Sequence, residues 1–197
     1  MTRTIQFGLL GMAAVAAAIL GYLTLAHLNG NAPPLVTVQI GGPFDLASSK
    51  GGTVKSSDLK GKPYAMFFGF THCPEVCPTT LYEMSTALGK LGEGAKDFRV
   101  FFVSVDPERD TVDNMRDYMA SFDPRMEALV PTMEQLTQIA RDFRVYYAKV
   151  PTSDGSYTMD HTATVYLMDG EGQLAGTISF GEKPETREAK LKKLIGL

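Results

Sequence analysis

Two cysteines, Cys73 and Cys77, are the only ones in the chain, and they stand four residues apart in the segment Phe68-Gly-Phe-Thr-His-Cys-Pro-Glu-Val-Cys-Pro78. An apolar run of strand length precedes them and a helical pattern follows, so they sit where a strand turns into a helix. In a first helical turn that spacing predicts both sulfurs on one face. The N–H groups and partial positive charge of a helix start favour thiolate, which is both the nucleophile in thiol exchange and the form that binds metal. The location therefore admits redox chemistry, metal binding, or both. A structural disulfide is the bland alternative in an exported protein. It would close a very short loop and gain little, because the entropic benefit grows with loop length.

Three histidines complete the reactive inventory: His27, His72 and His161. His27 closes the apolar N-terminal stretch and reads as an interfacial residue. His72 adjoins Cys73, where it either tunes the thiol or only covers the rim of the motif. His161 heads the strand-like segment Thr162-Ala-Thr-Val-Tyr-Leu-Met168.

The elements that must position these residues follow from hydrophobic periodicity. Short strand-like pieces flank the Gly51-Gly52 turn, and Tyr64 to Phe70 reads as a buried central strand. Cys77 to Leu91 forms a helix, with Leu81, Met84, Leu88 and Leu91 at helical spacing. Phe98 to Val105 is a second buried strand. Asp110-Thr111 caps a helix running to about Phe122, and Thr132 caps another over Met133 to Phe143. Val145 to Val150, Thr162 to Met168 and Gln173 to Phe180 are expected strands, the last two joined across Asp169-Gly-Glu-Gly172. Pro184 to Leu197 closes the chain as a basic amphipathic helix.

This order predicts an α/β, thioredoxin-like fold: a central mixed sheet flanked by helices. Such a fold brings the start of the 162–168 strand up to the cysteine loop, and His161 with it. Two thiolates and one imidazole make a soft, three-coordinate donor set suited to Cu(I) and able to hold Cu(II) with a weak further ligand. A structural zinc site takes four ligands, and no fourth is evident. Redox enzymes of this fold carry Trp-Cys-x-x-Cys and a cis-proline facing the pair. This chain has no Trp, its cysteine spacing is one residue longer, and Ala163 stands where the proline would be.

The chain has 197 residues, and 44% of them are hydrophobic. Its formal net charge of -3 argues against a nucleic-acid surface, which needs clustered Lys and Arg. Charges are absent from Thr4 to Phe44, and the 22 residues from Phe7 to Leu28 are almost wholly apolar. As a helix that stretch would reach roughly 33 Å, enough for a hydrocarbon core about 30 Å thick. A cleaved signal peptide is the rival reading, but its apolar region is usually only about 7–15 residues. The expected organisation is a membrane anchor over residues 1–28, a linker over 29–40 and a thioredoxin-like domain over 41–197. Arg3 on the short side points the N-terminus to the cytoplasm, and no Arg- and Ser-rich transit peptide is present. The expected location is a bacterial inner membrane, single-pass, with the soluble domain facing the periplasm.

Three segments together resemble the Sco/SenC family of cytochrome oxidase assembly factors: Cys-Pro-Glu-Val-Cys-Pro at 73–78, Ser104-Val-Asp-Pro-Glu-Arg-Asp-Thr111, and Asp160-His-Thr-Ala-Thr-Val-Tyr-Leu167. The similarity runs over the whole head from about Phe44. The resemblance implies copper ligation by Cys73, Cys77 and His161. It also implies cytochrome c oxidase subunit II as partner, receiving copper at its binuclear site or having that site's cysteines reduced. An upstream copper donor and a thiol reductant would then be needed. Asp106 and Asp160 would orient the ligands or face the partner, although each also reads as a turn residue or a strand-start cap.

Three functions remain open on the residues. A copper-binding assembly protein need turn over no substrate, whereas a thiol–disulfide reductase would use the same two sulfurs as a redox-active pair. A peroxidase of the peroxiredoxin type would need an Arg to polarise peroxide, for which Arg141 and Arg144 are available.

Overall fold

The computed structural model describes residues 2–28 and 39–197. They form two units that divide after Val38. The expected linker over 29–40 therefore lies almost entirely outside the described residues.

The first unit is a single helix, α1 (Thr2–Leu28). Its side chains are described over residues 11–27, and nearly all of them are exposed, Met12, Val15, Ile19, Leu20 and Leu23 included. Among the described residues no helix is long and apolar enough to cross a membrane.

The second unit holds the remaining elements. An antiparallel pair, β1 (Asp45–Ser48) and β2 (Thr53–Lys55), turns at Gly51-Gly52 as expected. Next come β3 (Tyr64–Gly69), α2 (Val76–Leu91) and β4 (Arg99–Ser104), then α3 (Val112–Met119) and β5 (Met126–Val130). They are followed by α4 (Met133–Asp142), β6 (Tyr147–Pro151), β7 (Tyr157–His161), β8 (Thr164–Met168), β9 (Leu174–Ser179) and α5 (Pro184–Ile195). Seven strands form one mixed sheet in the order β2-β1-β5-β4-β3-β8-β9. Strands β3, β4 and β5 run parallel at its centre, while β1 and β8 flank them antiparallel. The architecture is the α/β, thioredoxin-like one that the element order predicts.

Every residue of β3 is buried, as expected of a parallel strand covered on both faces. Alternation sends Phe67 and Phe68 to opposite sides. On one side Phe67 stacks on Phe102, which stacks on Tyr118 of α3. On the other side Phe68 packs against Phe143 and Tyr166. The parallel register pairs Gly69 with Ser104, so β3 and β4 end side by side. The cysteine segment and the 104–111 segment leave the sheet from that common edge, where open α/β sheets bind their ligands.

The structure adds two strands and corrects three expectations. Strand β5 is not apparent in the sequence because Glu127 interrupts its apolar run. Folded, that carboxylate is buried and held by Arg99 and by the Ser48 hydroxyl. Strand β7 was also not expected. It pairs with β6 as a separate two-stranded hairpin, so His161 ends β7 instead of heading the strand Thr164–Met168. The expected cap at Asp110-Thr111 is made by Thr111, whose side chain accepts from Asn114 N, but the helix stops at Met119 and not near Phe122. Cys73 lies ahead of α2, not in its first turn, since the helix begins at Val76. The remaining elements fall within a few residues of expectation, and Thr132 forms a full capping box with Gln135.

Candidate metal centre

Cys77 is the second residue of α2 and is fully buried, whereas Cys73 is half-buried in the turn before it. The two sulfurs converge because the free N–H of Cys77, at the helix start, donates to Cys73 Sγ at 3.4 Å. The residue at the cap position, Glu75, is exposed and makes no side-chain capping bond. The Cys73 sulfur thus serves one of the donors that a helix start leaves unpaired.

Space for the Cys77 sulfur comes from Gly69. A Cβ built on Gly69 would lie 2.6 Å from Cys77 Sγ and 2.6 Å from the Phe102 ring. Any larger residue at this position would collide with the thiol.

The turn itself is tied down by Asp110. This buried carboxylate accepts from the Thr71 hydroxyl at 2.6 Å and the Ser104 hydroxyl at 2.7 Å, with the Thr71 backbone N–H at 3.3 Å. Burial raises its pKa, and these bonds oppose the rise. The exposed His72 ring meets only the Thr71 hydroxyl, at 3.0 Å through Nδ1. It stands outside the cluster of Cys73, Cys77 and His161.

His161 arrives from the hairpin. Its Nδ1 donates to the Thr162 carbonyl at 3.1 Å, which leaves Nε2 facing Cys77 Sγ at 3.5 Å. A carbonyl only accepts, so Nδ1 carries a proton, and Nε2 is the ring nitrogen turned to the sulfurs. Edge contacts with Phe67 and Phe70 fix the ring plane. The donor atoms of Cys73, Cys77 and His161 all lie within 4.8 Å of one another. Two sulfurs and one nitrogen in an aromatic-lined corner fit a soft, low-coordinate metal ion.

Electrostatics set the two thiols apart. The Cys77 thiol donates to Cys73, and His161 and the backbone N–H groups of Cys77 and Glu75 add to it, so the Cys73 pKa falls from 9.0 to about 4 against the opposing effect of burial. Cys77 moves upward, because its proton is held in the bond to Cys73 and its sulfur is buried beside a thiolate. Cys73 is therefore a half-exposed thiolate at neutral pH, with a protonated partner beneath it.

Asp106 and Asp160 fare differently. Asp160 is exposed on β7, and strand alternation turns it away from His161. Asp106 is buried, pairs with Arg109 Nε at 2.5 Å and accepts from the Tyr157 hydroxyl at 2.9 Å. It touches no sulfur or imidazole directly and instead bonds to the hairpin that bears His161. Arg141 and Arg144 lie on α4 and just beyond it, and the arginine that does reach the site's wall is Arg109, over the Phe70 ring. Gly69, Arg109 and Tyr157 are not singled out by the sequence, and Asp110 reads there only as part of a helix cap. Only the charged run Asp-Pro-Glu-Arg-Asp offered a signal for two of them.

The chain matches the family model described as SCO1/SenC over residues 33–196. It is 41% identical over 133 residues to the mitochondrial SCO1 homolog 1 of Arabidopsis thaliana, covering 67% of this chain and 40% of that protein. It is 37% identical over 137 residues to the human mitochondrial SCO1 homolog, covering 68% and 46%. The chain thus spans a little under half the length of these two relatives. Among solved structures, copper-bound ScoI of Bradyrhizobium japonicum superposes with a TM-score of 0.73 at 47% identity, covering 79% of this chain and 99% of the other. Copper-bound Sco1 of yeast gives 0.72 at 28% identity, covering 80% and 88%. With its cysteine pair, hairpin histidine and sheet in the order described, the chain belongs to the SCO1/SenC family.

Proposed function

We propose that this protein binds copper through Cys73, Cys77 and His161 and serves in the assembly of the binuclear copper site of cytochrome c oxidase. The observation that carries this reading is the convergence of the three donor atoms within 4.8 Å, with Nδ1 of His161 engaged by Thr162 so that Nε2 faces the sulfurs. The copper-bound relatives support it. Copper is cargo in this reading, and the chain's work is to hold it reversibly at an accessible edge. Cys73, the half-exposed ligand, offers the route of exchange, with buried Cys77 beneath it and half-buried His161 facing both from the hairpin. The partner proposed is cytochrome c oxidase subunit II, with an upstream copper donor and a thiol reductant serving the site.

A second reading is favoured by the split between the thiols. A Cys73 thiolate can attack a partner disulfide, forming a mixed disulfide and expelling the partner's second sulfur as thiolate. Cys77 then gives up its proton and attacks Cys73, releasing the reduced partner and leaving a Cys73–Cys77 disulfide. An external thiol reductant must restore the pair. Bound copper occupies both sulfurs, so the two activities exclude each other on one molecule.

The anchor reading stays a proposal. The charge-free stretch Thr4–Phe44 and the exposed apolar side chains of α1 support a membrane-held N-terminus, with the domain in the periplasm of a bacterial cell. Retention of the full chain in membranes washed with alkaline carbonate is the expected result, and release would contradict it.

Copper titration of the fully reduced protein tests the main reading. One tightly held copper is expected, loosened by Cys77→Ser and by His161→Ala. No copper retained, with a partner disulfide still reduced, would transfer the assignment to the reductase.

A further inference from the structure

The β6–β7 hairpin that delivers His161 has almost no core of its own. Only Met159 is buried along both strands, and the hairpin is not hydrogen-bonded into the main sheet. A cleft of about 190 Å³, lined by Val105, Asp106, Met133, Tyr147 and Met159 among others, separates it from the 105–108 segment. Its apolar anchorage is limited to Met159 in the core and to half-buried Tyr147 and Tyr157 packed against it. What spans the gap is polar and centred on one residue. Arg109 Nη1 donates to the Tyr157 carbonyl at 3.0 Å, and its Nε donates to buried Asp106, which in turn accepts from the Tyr157 hydroxyl. The guanidinium lies 3.8 Å from the Tyr157 ring centre and 5.9 Å from that of Phe70. Lys149 approaches Tyr157 at 4.6 Å and pairs with exposed Glu108. Phe70 is also the ring against which His161 rests. The Nη2 atom of Arg109 is buried without an acceptor, an expense seldom met unless geometry demands the position.

We infer that Arg109 is a positioning residue for His161: by clamping Tyr157 onto Asp106 and backing the Phe70 ring, it holds the hairpin closed and seats the imidazole over the two cysteines. The inference rests on the proposed copper reading for its consequence but not for its geometry. Arg109 touches none of the three donor atoms, and Tyr157 lies four residues before His161 at the far end of β7. The clamp thus acts on the strand as a lever, and its loss should unseat His161 while leaving Cys73 and Cys77 in place.

The test uses the full chain in detergent with Arg109→Lys, which keeps the charge and loses the fork. In the metal-free protein, amide exchange at Thr158 to His161 should quicken by about tenfold, while amides of β3 and β4 keep their wild-type rates. Contacts between the His161 ring and the Phe70 ring, read by NMR, should weaken in parallel. Copper affinity should fall by about tenfold, and the same substitution in a His161→Ala background should cause no further fall, because the two act through one interaction. Tyr157→Phe, which removes only the hydroxyl bond to Asp106, provides a milder second variant should Arg109→Lys fail to fold. Unchanged hairpin exchange, or an equal loss of copper with and without His161, overturns the inference. Should the wild-type protein hold no copper, the function reading fails, while amide exchange and ring contacts still decide the clamp.

Discussion

The two sides of the candidate metal centre are built in opposite ways. The cysteine side grows out of the sheet: β3 is wholly buried, α2 packs behind it, and Asp110 ties the intervening turn through Thr71 and Ser104. The histidine side is a detached hairpin with one buried residue, held by Arg109, Asp106 and Tyr157. A rigid dithiol floor facing a polar-latched imidazole suits a site that must hold an ion and then give it up. Loosening one ligand arm lowers the barrier to release without disturbing the other two donors.

Substitutions on the cysteine side should have the largest effects. Cys77→Ser should weaken copper binding at least about 100-fold, more than the ~10–100-fold typical of residues behind the ligands. Competition with a copper chelator checks this, and a loss of only a few fold would mean that Cys77 is not a ligand. Gly69→Ala should come next. Its Cβ would press on both the Cys77 sulfur and the Phe102 ring, lowering folding stability by about 1–3 kcal/mol. Urea unfolding of the metal-free protein measures that, and an unchanged midpoint would show that the pocket has slack.

The hairpin side should respond by a similar amount, but locally. Asp106→Ala strands the Arg109 charge beside two aromatic rings. Breaking a fully buried pair costs about 3–5 kcal/mol, and the partial exposure of Arg109 should bring this to roughly 1–3. Thermal unfolding reports the loss, while hydrogen exchange should place it in β6 and β7 and not in β3. Loss spread evenly over both would erase the contrast between the two sides.

The thiols differ as well. With Cys73 lowered to about 4, its alkylation in the metal-free folded protein should stay near its full rate as pH falls from 8 to about 5. The rate should then drop as the thiolate takes up a proton near pH 4. Cys77, whose pKa is raised, should remain unreactive until the protein unfolds. Mass spectrometry of the modified peptides distinguishes the two, and equal labelling would contradict the asymmetry. The smallest effect is expected from Ala163→Pro, which restricts Thr162, whose carbonyl orients His161, and should weaken copper binding a few fold.

The sequence made the reactive groups legible but not the devices that position them. Cysteines and a histidine announce themselves by type, and the thioredoxin-like order brought them to one edge of the sheet. Strands β3 and β4 were equally plain, because residues buried on both faces read as unbroken apolar runs. The rest follows a common physical pattern: polar residues whose burial depends in part on partners distant in the chain. Glu127 hid β5 because its partners, Arg99 and Ser48, are 28 and 79 residues away. Asp110 resembled a helix cap until Thr71, 39 residues earlier, proved to be its partner. Arg109 finds Tyr157 at a separation of 48 residues. Gly69 was silent for another reason, since its role is the room it leaves for a sulfur that the chain supplies eight residues later.

X-ray absorption at the copper edge, on reduced and copper-loaded wild-type protein alongside His161→Ala, tests the central claim most directly. The account predicts one copper with two sulfur neighbours and one nitrogen neighbour, and the loss of only the nitrogen when His161 is replaced. A copper environment identical in both proteins would contradict it, as would a wild-type protein that retains no copper.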